Sequence, residues 1–314
     1  MYSPIRSLCF NDDRQTFTII LPSQYRIFRC DPFGLIFSRE CEDLSLESVA
    51  TYDGYRFIAL GGAPSPQNFN SKSVRVFDLQ TGQLAFDHNF QDHVLSMGMG
   101  KDIIVVCMYT TVEVWRMSSN QLVYTINCGK NINAPLSISP ESSAFILSGS
   151  TDENVVIHRG AGNQLVSQSL TVTANTAVSL VKFSDDSKMF ATCGFNDDYI
   201  YIWDFKTLSR IAILERTTKD DIILAIDFSP SGDFLASISK NGILSIFDLR
   251  SPNSSKPTQP LCTETIASSL HIPRFTWLNS MLISLASLEG DYYKITFNSS
   301  SIEYEKTPFL KRTV

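Results

Sequence analysis

The chain lacks any apolar stretch near the roughly 20 residues that a membrane-spanning helix needs. It also lacks a sustained 3.6-residue period, which argues against helical architecture. Basic charge is in short supply. Twenty-six Lys and Arg against 32 Asp and Glu leave a net charge of −6. A nucleic-acid surface is normally basic, so that partner class is set aside, and attachment to an anionic membrane by bulk charge is disfavoured too. Cysteine is present seven times (Cys9, Cys30, Cys41, Cys107, Cys128, Cys193, Cys262), but without any CxxC or Cys/His cluster. An odd, scattered set inside strand-like runs reads as small buried residues in a reducing cytosol rather than a disulfide frame or a metal site. Met1-Tyr2-Ser3-Pro4-Ile5-Arg6-Ser7 contains no apolar core of a secretory signal. No Gly-x-Ser-x-Gly elbow accompanies the serines, and Gly61-Gly62 lacks the Gly-Lys-Ser/Thr ending of a phosphate-binding loop. Four dispersed histidines and acidic pairs confined to polar turns complete the picture of a non-enzyme with no metal or cofactor.

What the chain does have is a repeat. Ile27-Phe28-Arg29, Val76-Phe77-Asp78, Val114-Trp115-Arg116, Ile157-His158-Arg159, Ile202-Trp203-Asp204, Ile246-Phe247-Asp248 and Thr296-Phe297-Asn298 are spaced, by subtraction of their last positions, 49, 38, 43, 45, 44 and 50 residues apart. An aromatic followed by Asp at a period of about 40–45 marks WD-type propeller blades, each a four-stranded sheet that cannot bury both faces alone. Seven copies predict an all-β fold, a seven-bladed WD40-type β-propeller occupying 1–314 as a single domain. His158 falls in the aromatic slot of its copy and is expected to pack there.

Blade five shows the internal logic. The apolar run 177–183 is followed by Ser184-Asp185-Asp186-Ser187-Lys188, then 189–194, the turn 196–198, the signature run 199–204 and an outer strand over 209–214. Turns of Asp, Asn, Ser and Gly between β-branched and aromatic runs are hairpin signals. Two connections are longer than the rest, 61–73 in blade two and 250–269 in blade six. Connections of that length are either functional or disordered, and for the second both readings stand. In the first, the closely spaced Pro64 and Pro66 suggest an ordered excursion.

Asn11-Asp12-Asp13 after an initial strand, Cys30-Asp31-Pro32-Phe33, and Ala59-Leu60-Gly61-Gly62 before a Pro-containing loop together resemble the PROPPIN family of seven-bladed autophagy propellers that bind phosphoinositides. The resemblance spans essentially the whole chain, and it implies two headgroup pockets served by a Phe/Leu-Arg-Arg-Gly motif at the end of blade five. Here that place reads Leu214-Glu215-Arg216-Thr217. An arginine fork donates paired, charge-assisted bonds to phosphate, whereas a carboxylate only accepts and repels it. Each charged bond is worth about 1.5–3 kcal/mol, so Glu215 should empty the first pocket. Tyr201 and Asn175 stand where the family has a basic residue, and Thr192 alone fits the pattern. For the second pocket the resemblance assigns Arg216, Ser239 and Lys240, with Ser245 in place of a histidine. Arg216 and Lys240 are equally readable as ordinary solvated charges.

The family's blade-six loop inserts into bilayers, but here it is mostly Ser, Pro and Thr, with Leu261, Cys262 and Ile266 as its apolar residues. That is a poor membrane wedge. The resemblance further implies docking of an autophagy lipid-transfer protein near the N-terminal blades. Asn11 and Asp13 match that surface, although the same residues make plain hairpin turns. Pro64, Pro66 and Phe69 in the blade-two loop are the better partner contacts, since loops on rigid scaffolds carry recognition. The expectation is a monomeric, non-catalytic scaffold, cytoplasmic or peripheral on endomembranes, with phosphoinositide binding weakened or lost. The alternative is a WD40 adaptor of another cytosolic complex without lipid binding.

Overall fold

In the computed structural model, residues 5–41, 46–62, 72–128, 134–148, 154–161, 164–172, 177–195, 197–217, 221–268, 270–298 and 301–310 are described. All regular structure among them is strand. Blade one is β1 (Ser7–Phe10), β2 (Thr16–Leu21), β3 (Gln24–Arg29) and β4 (Gly34–Glu40). Blade two is β5 (Leu46–Tyr52), β6 (Phe57–Gly62), β7 (Ser73–Asp78) and β8 (Gln83–Asn89). Blade three is β9 (Ser96–Gly100), β10 (Ile103–Cys107), β11 (Thr111–Arg116) and β12 (Gln121–Asn127). Blade four is β13 (Leu136–Ile138), β14 (Ala144–Ser148), β15 (Asn154–Ala161) and β16 (Gln164–Thr171). Blade five is β17 (Val178–Phe183), β18 (Met189–Gly194), β19 (Tyr199–Asp204) and β20 (Arg210–Glu215). Blade six is β21 (Ile223–Phe228), β22 (Phe234–Ser239), β23 (Ile243–Asp248) and, after the short β24 (Pro257–Thr258), β25 (Cys262–Thr265). Blade seven is β26 (Arg274–Asn279), β27 (Leu282–Ala286), β28 (Asp291–Asn298) and β29 (Ser301–Pro308).

Each blade is built on an antiparallel meander of four strands, to which blade five adds β24 as a fifth, parallel strand, so the architecture is the seven-bladed all-β propeller that the repeat predicts. Six of the seven signature tripeptides end their strand; only β15 runs on, to Ala161. By contacts the chain divides into two compact units. One is 1–134 with 288–290 and 310–314, and the other is 135–287 with 291–309.

Within each unit the cores lie between successive blades. In the first, Ile20, Tyr25 and Ile27 of blade one pack against Leu46, Ile58 and Leu60 of blade two. Ala59, Val76 and Phe86 of blade two in turn pack against Ile104, Val106 and Trp115 of blade three. In the second unit Ala191, Ile200, Ile202, Ala212 and Leu214 of blade five meet Phe228, Leu235 and Phe247 of blade six. Strand alternation makes this possible, since odd and even residues face opposite neighbours. None of the seven cysteines forms a disulfide, and Cys30, Cys107, Cys128 and Cys193 are buried. Burial, helped by Cys128 beside Cys107 and Asp197 beside Cys193, pushes both thiols up to about 12.

The period recurs in the turns. Ser139, Ser184 and Ser229, 45 residues apart by subtraction, each accept the backbone N–H five positions on (Ala144, Met189, Phe234) at 3.0 Å. Each turn closes through a residue in the left-handed region: Ser142, Ser187 or Gly232. His158 is buried as expected, stacked on Phe145 at 4.9 Å and bonded through Nδ1 to the Ser167 hydroxyl at 2.8 Å.

A hydroxyl-lined pocket between blades five and six as the candidate functional site

Strand β22 reads Phe-Leu-Ala-Ser-Ile-Ser. Its odd positions face blade five, where Leu235 joins the shared core. Further along the same face stand Ser237 and Ser239, and Ser245 of β23 lies directly opposite Ser237. The face therefore turns from apolar to hydroxyl-bearing at the end of the strands where β20 hands over to β21. There a small, partly open pocket forms, lined by Arg216, Thr217, Ile223, Ser237, Ser239, Ile243 and Ser245.

Arg216 is the pocket's one cationic side chain and is only 6% exposed. Its backbone N–H bonds to the Asp198 carbonyl at 3.0 Å, and its Nη1 donates to the Asp197 carbonyl. Its Nε–H has no hydrogen-bond partner among the described residues, and neither does Asp197 Oδ2. A buried, unsatisfied N–H of a charged fork is costly to maintain, and one lining a pocket is suited to an anionic acceptor. Burial raises the Asp197 carboxyl above the ordinary range, against bonds from Tyr199 N–H and Tyr201 and the charge of Arg216. Thr217 Oγ1 and Ser245 Oγ share a 2.7 Å bond. The Ser239 hydroxyl accepts the N–H of Ile243 at 3.1 Å, which leaves its own hydrogen to donate.

Of the residues that the sequence nominates, Arg216 and Ser239 converge here. Lys240 follows in the exposed turn to β23 and does not line the pocket. Thr192 is fully buried in β18, where its hydroxyl accepts from Trp203 Nε1 at 3.0 Å; its position is a core one. Tyr201 is also buried, its hydroxyl donating to Asp197 Oδ1 at 3.3 Å. Glu215 points elsewhere, its Oε2 accepting from Gln259 Nε2 at 2.7 Å. Asn175 lies outside the described residues.

In blade one, Asn11 is buried. Its amide donates to Thr16 Oγ1 at 2.7 Å and its Oδ1 accepts from Thr18 and Thr51. Asp13 caps its own turn through Gln15 N–H, Thr16 N–H and the Thr16 hydroxyl. Asp12, not singled out from the sequence, reaches the Asp53 and Gly54 amides of blade two at 3.0 and 2.7 Å. These bonds make 11–13 a hairpin turn that ties two blades. Pro64, Pro66 and Phe69 lie outside the described residues. The pocket residues missed by sequence reasoning are Thr217, Ile223, Ser237 and Ile243. The alternating serines of β22 were the available signal for Ser237.

Among the described residues no group of three or more His, Cys, Asp or Glu is placed to hold a metal ion. No helix among them is long and apolar enough to cross a membrane. Residues 167–204 and 209–248 match the family of the WD domain, G-beta repeat. Repeat, blades and match define the class: a seven-bladed WD-repeat β-propeller. Its homologues are PROPPIN proteins of the Atg18, Atg21 and SVP1-like type, at modest identity. Autophagy-related protein 18 of Dictyostelium discoideum is 25% identical over 79% of this chain and 66% of its own length, so the match spans just under two-thirds of that relative. Autophagy-related protein 18 of Yarrowia lipolytica is 21% identical over 100% of this chain and 85% of its own. Among solved structures, Kluyveromyces lactis Hsv2 superposes with a TM-score of 0.81 at 16% identity, covering 97% of this chain and 98% of that one. A complex of KlAtg21 with the coiled-coil of AgAtg16 gives 0.79 at 15% identity, covering 98% and 100%. These structural likenesses show the fold.

Proposed function

We propose that this chain is a non-catalytic scaffold of autophagy whose phosphoinositide affinity is reduced to one weak pocket. The observation that carries this reading is Arg216, buried in a hydroxyl-lined pocket with an N–H unsatisfied among the described residues. Two features support weakness. The pocket has a single cation, and Glu215, where the family carries its other arginine, is engaged by Gln259. A lone arginine with hydroxyls favours a phosphoryl group but leaves a multiply charged headgroup under-neutralised. Lipid contact in an acidic protein then depends on this local site rather than on bulk charge.

In this reading the chain is a single domain and a monomer, cytoplasmic and peripheral on endomembranes, and blade loops dock protein partners. The coiled-coil bound by the Atg21 relative supports protein docking as a mode open to this fold. A lipid-transfer protein remains the proposed partner, with the 61–73 loop and its Pro64, Pro66 and Phe69, rather than the internally bonded Asn11 and Asp13, as the contact. One observation favours the adaptor alternative without lipid: Lys240 does not reach the pocket.

Flotation with phosphatidylcholine vesicles, with and without phosphatidylinositol 3-phosphate, tests the proposal. Weak, headgroup-dependent flotation that falls with salt and is lost in Arg216→Lys supports it. Absence of flotation at low salt selects the adaptor.

A further inference from the structure

The blade-six loop crosses to blade five and becomes its fifth strand. It leaves β23 through Arg250, whose Nε bonds to Asp248 Oδ1 at 2.9 Å and whose guanidinium lies 5.2 Å from the Phe234 ring centre. Asn253 then turns the chain, its Oδ1 accepting the N–H groups of Ser255 and Lys256 at 2.8 and 3.2 Å. Pro257 and Thr258 pair with Ile213 and Leu214, the one parallel pairing among the described strands. Gln259 reaches Glu215, and Leu261 N–H returns to the Ile246 carbonyl at 2.7 Å. The segment thus starts on blade six, grips the outer edge of blade five, and ends on blade six.

Those are the two blades that form the pocket. An edge strand offers unpaired N–H and C=O groups that another segment can pair with, and here the chain supplies that segment itself. The grip falls on the last residues of β20. Leu214 is held by Ile200 on one side and by Thr258 on the other. Glu215 is held by Gln259, and the next residue is Arg216. In an extended chain consecutive side chains point to opposite sides, so a bond on Glu215 fixes the backbone that aims Arg216 inward.

We infer that residues 250–261 form a strap that positions Arg216, with Glu215 and Gln259 as its catch. Neither catch residue touches the pocket, so both are positioning residues. The strap also holds the loop against blade five, where it covers an exposed sheet edge. The link to ligand binding rests on the pocket reading above; the strap and its hold on Arg216 do not.

The test is a swap cycle in the full chain. Gln259→Glu sets two carboxylates against each other, and Glu215→Gln combined with Gln259→Glu restores a donor–acceptor pair with the roles exchanged. A third variant replaces 251–260 by a Gly–Ser linker of equal length. Three readouts apply: tryptic cleavage after the exposed Arg250, the Arg216 Nε–H resonance without ligand, and flotation with phosphatidylcholine vesicles containing phosphatidylinositol 3-phosphate. Expected for Gln259→Glu are several-fold faster cleavage, a shifted or exchange-broadened Arg216 signal and several-fold weaker flotation, all reversed by the swap. The linker variant should disturb the same Arg216 signal. An Arg216 signal unchanged in both Gln259→Glu and the linker variant overturns the inference, as does a swap that restores nothing. Wild-type protein that fails to float refutes the lipid reading of the pocket, while the Arg216 signal still decides the strap.

Discussion

Thr192 shows how a hydroxyl nominated for binding can serve packing instead, according to what faces it. The Thr192 hydroxyl is the acceptor for a buried tryptophan N–H. Thr192→Val should therefore cost about 1–3 kcal/mol by leaving that donor unsatisfied, with vesicle flotation unchanged. Urea unfolding alongside flotation checks both halves. His158 carries the clearest pH dependence. Burial lowers it to about 4, against an ordinary value near 6.5. Between those values the unfolded chain binds a proton that the folded chain refuses. Stability is therefore full above about pH 6.5 and declines as pH falls toward 4, by about 3 kcal/mol in total. His158→Phe should flatten that part of the acid slope in urea midpoints taken at pH 7 and pH 4.5. The aromatic slot of His158 was legible in the sequence, because strand position fixes which way a side chain points, and the family resemblance nominated Arg216 and Ser239, which both line the pocket. The burial of Thr192 and Asn11 was not, because a hydroxyl or amide in a strand or turn reads the same whether it meets solvent, ligand or a neighbouring blade.

At the scale of elements, blade five was readable almost to the residue. The sequence predicts an outer strand over 209–214, and the strand is Arg210–Glu215. Hairpins are local, so turn chemistry and alternation suffice to find them. The strap was not readable, since a parallel pairing and a contact between Glu215 and Gln259 join segments 44 residues apart, and two residues of strand leave no period. The connector that follows depends on Gly242, whose φ of +76° lies in the left-handed region and where a Cβ would strike the Ala267 carbonyl. Gly242→Ala should cost about 1–3 kcal/mol from the backbone conformation alone, with the clash adding to it. Because Ser239 and Ile243 flank this turn, the variant should also weaken flotation, and thermal unfolding run beside the flotation assay reads both.

For the molecule as a whole, the repeat announced the architecture, while the proposed function rests on a few departures from the pattern that the resemblance implies. The net charge of −6 makes non-specific adhesion to anionic bilayers a poor explanation for any lipid binding that is found. The single-domain reading predicts one calorimetric transition with equal calorimetric and van't Hoff enthalpies; two resolved transitions would instead match the two contact-defined units. The central claim, one surviving anion pocket built on Arg216, is tested most directly by titrating the Arg216 Nε–H resonance with inositol 1,3-bisphosphate. The account predicts a saturable shift of that resonance with about millimolar affinity, weakened by salt. An Arg216 signal that stays fixed at saturating ligand would contradict it.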